Sequence, residues 1–148
     1  MENSDLFVCV DHVGVAVLNM ADALKFHTEV LGYRLLHRET NAEQGVEEAM
    51  LGTGRQLPES TQVQLLAPLT PESTVGKFIA GNKGRGGLHH ICYRVADIDQ
   101  VSQTLRQRGV HLLYDQPRLG TAGSRIQFAH PKDTGGVLIE LAELGHGE

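Results

Sequence analysis

From Phe7 to Val17 the chain is Val-rich with short alternations, the period-two pattern of a strand. The period then lengthens. Leu24, Phe26, Val30 and Leu31 form a helical apolar stripe, with Asn19 placed as N-cap, Asp22 in the first turn and Gly32 just past the end. Strand patterns resume at about 33–39, 45–52 and 61–67. Near His89 the series starts again. A strand leads to Asp97-Ile98-Asp99-Gln100, a capping box with Asp at the cap, followed by the stripe Ile98, Val101 and Leu105 and a closing Gly109. Further strands are predicted at about 111–115, 124–129 and 137–142.

The chain is thus two tandem βαβββ modules, about 7–69 and 88–143, within one domain of 148 residues. Residues 70–87 join them, with a short helix expected from Ser73 to Ala80 before the turn-rich run Gly81-Asn82-Lys83-Gly84-Arg85-Gly86-Gly87. A βαβββ unit covers one sheet face with its helix and must curl the other over something. The predicted fold class is α+β, a half-open mixed β-sheet barrel around a metal-binding cleft.

Composition narrows the function classes. Hydrophobic content of 41% with 21% charged residues is that of a globular protein. A net charge of −5 argues against a nucleic-acid partner, and no basic helix points to a membrane surface. No apolar run reaches membrane-span length, and Met1-Glu2-Asn3-Ser4-Asp5 lacks the basic start of a signal peptide, so a cytoplasmic protein is expected. Cys9 and Cys92 both sit in strand-like runs and read as free thiols; Cys9-Val10-Asp11-His12 has no second half of a zinc finger after it.

The duplication keeps a histidine at one place in each copy. His12 and His90 lie 78 positions apart (90 − 12), each near the start of its module's first strand. Strand parity adds a second pair. If Val63 and Leu65, and Val137, Ile139 and Leu141, face their helices, Gln64 and Glu140 face the cleft. Their offsets match closely, 52 positions after His12 (64 − 12) and 50 after His90 (140 − 90). Two imidazoles, a carboxylate and an amide oxygen suit a borderline divalent ion better than Mg²⁺ or Ca²⁺. A glutamate in the run Val-Leu-Ile-Glu-Leu is costly to bury without a partner. His89 has the opposite parity to His90, so only one can enter the cleft, and the repeat favours His90. Surface or capping roles suffice for His27, His37, His111 and His146; His130, at the end of a strand, is the exception to watch. In Val46-Glu47-Glu48-Ala49-Met50-Leu51 one glutamate should face the cleft, and parity alone leaves Glu47 and Glu48 open.

At these residues the sequence resembles the methylmalonyl-CoA epimerase family of the vicinal oxygen chelate, or glyoxalase/bleomycin resistance, superfamily. The resemblance runs from Asp11-His12-Val13 to Glu140-Leu141. It is carried by Glu43-Gln44-Gly45-Val46, Gln62-Val63-Gln64 with Ala67-Pro68-Leu69, Glu72-Ser73-Thr74-Val75, Gly87-Leu88-His89-His90, and His130-Pro131-Lys132 through Gly136 to Leu141.

This resemblance implies metal ligands at His12, Gln64, His90 and Glu140, and a catalytic acid/base carboxylate at Glu48. It implies a homodimeric isomerase that interconverts (2R)- and (2S)-methylmalonyl-CoA by α-proton abstraction through a metal-stabilised enolate. The implied cofactor is one divalent ion per chain, Co²⁺ first and Mn²⁺, Ni²⁺ or Zn²⁺ as alternatives. Epimerisation needs two groups flanking Cα; Glu140 is the second catalytic candidate, though a ligated carboxylate is a poorer base, and a water or Lys132 could replace it. Arg125 and Lys132 are the candidates for binding the CoA portion. The rivals are a glyoxalase-type isomerase, an extradiol dioxygenase, which would normally use three protein ligands rather than four, and a metal-free binding protein.

Overall fold

The structure is a computed structural model, and it describes residues 6–53, 55, 57 and 60–145. His146 lies outside the described residues. The strands are β1 (Cys9–Ala16), β2 (Arg34–Asn41), β3 (Val46–Gly52), β4 (Gln62–Pro68), β5 (Gly87–Arg94), β6 (Arg118–Leu119), β7 (Arg125–Ala129) and β8 (Ile139–Glu143); the helices are α1 (Met20–Lys25), α2 (Thr74–Gly81) and α3 (Ile98–Gln107). The chain divides into two compact units, His12–His89 and Met1–Asp11 with His90–Glu148.

In the first unit the strand order is β2-β3-β4-β1. β1 and β4 are parallel, which requires the crossover that α1 provides, and the other pairs are antiparallel. Asn19 caps α1 by accepting from the Asp22 amide at 2.9 Å. Met20, Ala23 and Leu24 of the helix pack on Val63, Leu65, Ala49 and Leu51, the face expected from parity.

The predicted stripe fails beyond Leu24. At Phe26 the helix passes into a π-helical turn, Phe26–Val30, closed by the Leu31 amide on the Phe26 carbonyl at 3.1 Å. Widening the turn rotates every later side chain off the α-helical face. Phe26, Val30 and Leu31 are exposed.

α2 is more than a connector. Ser73 caps it through its hydroxyl, which accepts from the Gly76 amide at 3.1 Å, and Val75 and Ile79 pack on Ala16, Val46 and Leu66. Those three side chains lie on the sheet face opposite the one covered by α1. A Cβ at Gly76 would stand 2.5 Å from the Pro71 carbonyl oxygen, so only glycine lets the first turn of α2 seat here.

The second unit repeats the plan with the order β5-β8-β7-β6. β5 and β8 are parallel across the α3 crossover, and β8 is antiparallel to β7. Asp97 caps α3 by accepting from the Gln100 amide at 3.0 Å. Ile98, Val101 and Leu105 pack on Leu141, Ile139, Val95 and Tyr93, and Leu6 joins this core.

Two predicted features of this unit differ. Val137 is 45% exposed and precedes the strand, because Gly135 and Gly136 adopt φ of 75° and 94° and delay the ladder to Ile139. Residues 111–115 make only the isolated bridge Leu112 with Ala129. Pro117 cannot donate to a ladder, and the backbone of Tyr114 is bonded by the Gln127 side chain instead.

Leu141 is fully buried, whereas Val137 had the same predicted facing and is not. Leu141→Ala should therefore cost about 2–5 kcal/mol of stability, and Val137→Ala less than about 1 kcal/mol. Urea denaturation measures both; equal costs would contradict the delayed start of β8.

Candidate metal and acid–base site

The polar face of the first unit is built by register. β4 sits between β1 and β3, pairing Gln64 with Gly14 on one side and Met50 on the other, and Leu66 with Glu48. Directly paired residues point to the same side, so His12, Gln64 and Glu48 share the face that Leu66 and Val46 line. All three are buried. Glu47 has the opposite parity and ion-pairs with Arg38 at 2.6 Å near the surface. The structure thus separates the two glutamates that parity alone had left open.

Gln64 donates from Nε2 to Glu48 Oε1 at 2.6 Å. An ionised carboxylate only accepts, so this bond orients the amide and turns its carbonyl oxygen away from Glu48. A glutamate at position 64 would set two carboxylates against each other. The amide instead holds Glu48 with one end and keeps an oxygen, a metal-binding atom, for the other.

The second unit carries the matching pair. Cys92 is directly opposite Glu140, and Glu140 opposite Phe128, so His90, Cys92, Glu140 and Phe128 share one face. His90 Nε2 is 2.9 Å from Glu140 Oε1, and both residues are buried. The His90 ring meets Phe128 edge-on, with centroids 6.3 Å apart. The repeat holds at the level of register. His12 is paired with Gln62, two residues before Gln64; one step from the pair Ile91 with Ile139, His90 is level with Leu138, two residues before Glu140.

The strand pattern marks Cys92 only as a free thiol. It is fully buried, and burial pushes its pKa far up, helped by the negative charges of Glu140 and Asp11. The thiol therefore stays protonated and hydrogen-bonds with Glu140. Sequence reasoning also missed the pairing of buried Asp11 with half-buried Arg94, whose Nε and Nη2 both reach Asp11 Oδ1 at 2.9 Å. The signal was an arginine on the parity of His90 and Cys92, where a lone charge would be costly.

The other histidines among the described residues have local duties. His89 packs edge-on against Phe78 with centroids 5.0 Å apart. His27 contacts the Ala23 carbonyl, His37 pairs with Glu39, and His111 with Asp133. His130 caps the short turn Pro131–Asp133 by accepting from the Lys132 amide. Lys132 is exposed on that turn. Arg125 lies on the opposite side of the sheet from Glu140: it is level with Glu143 and makes a two-point ion pair with Asp99 at 2.9 and 3.0 Å. That placement does not favour a substrate role for Arg125.

Residues 11–128 match the model of the Glyoxalase/Bleomycin resistance protein/Dioxygenase superfamily. A crystal structure of a selenomethionine-labelled methylmalonyl-CoA epimerase is 55% identical, with a TM-score of 0.92 over 97% of this chain and 99% of that one. The mitochondrial methylmalonyl-CoA epimerase of Mus musculus is 34% identical over 90% of this chain and 72% of its own length. The chain belongs to the methylmalonyl-CoA epimerase family. Its fold is the α+β glyoxalase type, and the family makes it an isomerase. Another epimerase of the family, 41% identical with a TM-score of 0.89 over 96% of this chain and 98% of that one, has been solved in complex with methylmalonyl-CoA and an ammonium ion. No helix among the described residues is long and apolar enough to cross a membrane.

The protonated, enclosed thiol gives a chemical test. In the native epimerase fold Cys92 should resist alkylation at pH 8, where the partly exposed Cys9 is labelled, and should react only after denaturation. Peptide mass mapping distinguishes the two; native labelling of Cys92 at the rate of a free thiol would contradict its placement.

Proposed function

We propose that this protein interconverts (2R)- and (2S)-methylmalonyl-CoA, with His12, Gln64, His90 and Glu140 holding one divalent ion and Glu48 moving the α-proton. The observation that carries the reading is the buried Glu48, fixed by Gln64 at 2.6 Å and sharing a face with His12. The donor set fits an ion: His12, His90 and Glu140 are buried and each offers a ligand atom, and Gln64 has an oxygen left after its amide nitrogen serves Glu48. Two nitrogens and two oxygens suit a borderline divalent metal, for which we take Co²⁺. When bound, such an ion supplies a Lewis acid and an orienting template for the thioester oxygen and the substrate carboxylate.

The chain's own groups then have distinct tasks. Glu48 is not needed as a ligand, so its carboxylate can accept the proton from Cα; the Gln64 bond limits its rotation and holds one oxygen in place. Met50 and Leu66 flank it and exclude water. Epimerisation needs a second donor on the opposite face of Cα. Glu140 is the candidate within the site, but His90 and the Cys92 thiol both bond to it, which lowers its availability as a base. Water or Lys132 would serve in its place. The protein is taken to act as a cytoplasmic homodimer.

Glu48→Gln should lower the epimerisation rate by about 10²–10⁴-fold while leaving bound metal at the wild-type level. His90→Ala should lose metal and activity together. Metal analysis alongside a coupled assay of the two epimers reads both; a Glu48→Gln protein that keeps wild-type turnover removes Glu48 from the reaction.

A further inference from the structure

Gln127 is fully buried, yet it belongs to no reacting set described above. Its carbonyl accepts from the Tyr114 amide at 2.9 Å and the Phe128 amide at 3.0 Å, and its amide donates to the Tyr114 carbonyl at 2.8 Å. Arg106 Nη2 donates to the same carbonyl at 2.7 Å. Three of these four bonds anchor the backbone of Tyr114, in a stretch with little ladder of its own. What they fix in place is the Tyr114 ring, edge-on to Phe128 with centroids 5.8 Å apart.

On that ring lies a cation. The Arg118 guanidinium carbon is 4.0 Å from the Tyr114 centroid. Arg118 is directly paired with Ile126, and Ile126 with Ala142, so it shares the face of Phe128 and Glu140. It is exposed, and none of the ion pairs among the described residues involves it. Arg94, Arg125 and Arg38, by contrast, are each tied to a carboxylate. Stacking holds a guanidinium flat while leaving its N–H edges to an anion.

We propose that Arg118, presented on the Tyr114 platform, is the subsite for the nucleotide phosphates of a coenzyme A thioester. This rests on the function proposed above. Two strand spacings and a two-residue advance put the Arg118 Cα about 12 Å from that of Glu140. The acyl carboxylate belongs beside Glu140 and the ion. The remaining negative charge of such a substrate is on its phosphates, at the far end of the pantetheine arm.

The test compares methylmalonyl-CoA with methylmalonyl-pantetheine, which carries the same acyl group without phosphates. In metal-loaded R118Q the ratio of kcat/KM for the CoA thioester to that for the pantetheine thioester should fall about tenfold. R118K, which keeps the charge but not the flat stack, should recover part of it. An unchanged ratio overturns the proposal. So does an equal loss on both thioesters, which would put Arg118 on the acyl carboxylate or in folding. If the wild-type protein epimerises neither thioester, the proposed function fails, but calorimetry with free coenzyme A still decides the subsite: about tenfold weaker binding to R118Q supports it, and equal binding overturns it.

Discussion

A carboxylate buried in an apolar strand must be matched by a group that bonds to it, and this requirement is met at Glu48 and at Glu140. Glu48 shares β3 with Val46, Ala49, Met50 and Leu51, and Glu140 shares β8 with Ile139, Leu141 and Ala142. Gln64 donates to the first, and His90 meets the second at 2.9 Å. Burial of an isolated charge costs several kcal/mol, so these partners are conditions for the strands to pair as they do. The sheet register supplies them: the antiparallel pairing of β3 with β4 brings Gln64 beside Glu48, and the parallel β5 and β8 set His90 two residues out of step with Glu140. Within each unit, the same register that satisfies the charges sets the side chains of the proposed metal-ligand set on one face.

The two copies share this frame but differ in chemistry. In the second unit the polar partner of the strand is itself a carboxylate, bonded by an imidazole and a thiol. In the first unit it is an amide, which can bond in two directions at once. That difference leaves Glu48, on the neighbouring strand, oriented without being a ligand in the proposed set. Near Arg125-Ile126-Gln127 the second unit has no equivalent carboxylate; Gln127 faces the other way and braces Tyr114. In the function proposed above, duplication supplies the binding frame, and divergence supplies the base, Glu48, and the Tyr114 platform for Arg118.

Much of this was legible in the sequence because it depends on local rules. Period-two alternation separated Leu65 and Leu141 from Gln64 and Glu140, and side-chain caps at Asn19, Ser73 and Asp97 marked the helix starts. What failed depended on backbone departures that composition does not announce. The π-helical turn at Phe26 turned an apolar stripe outward, and two left-handed glycines moved Val137 out of β8. Arg125 is a cationic candidate for the CoA portion in the sequence, yet a strand places alternate residues on opposite faces, and Arg125 falls on the face away from Glu140. Position 118 shows the converse: Arg118 follows Pro117 in a stretch with no predicted strand, and its facing is visible only through the two-residue ladder of β6.

Deuterium uptake decides most directly whether this buried frame acts as an epimerase. The protein, loaded with Co²⁺, is incubated with (2R)-methylmalonyl-CoA in deuterated water, with an acyl-CoA lacking the second carboxylate as control. Incorporation of one deuterium at Cα together with formation of the (2S) epimer, absent from the control, is the predicted result. Unexchanged (2R) substrate, recovered from protein that carries its metal, would contradict it.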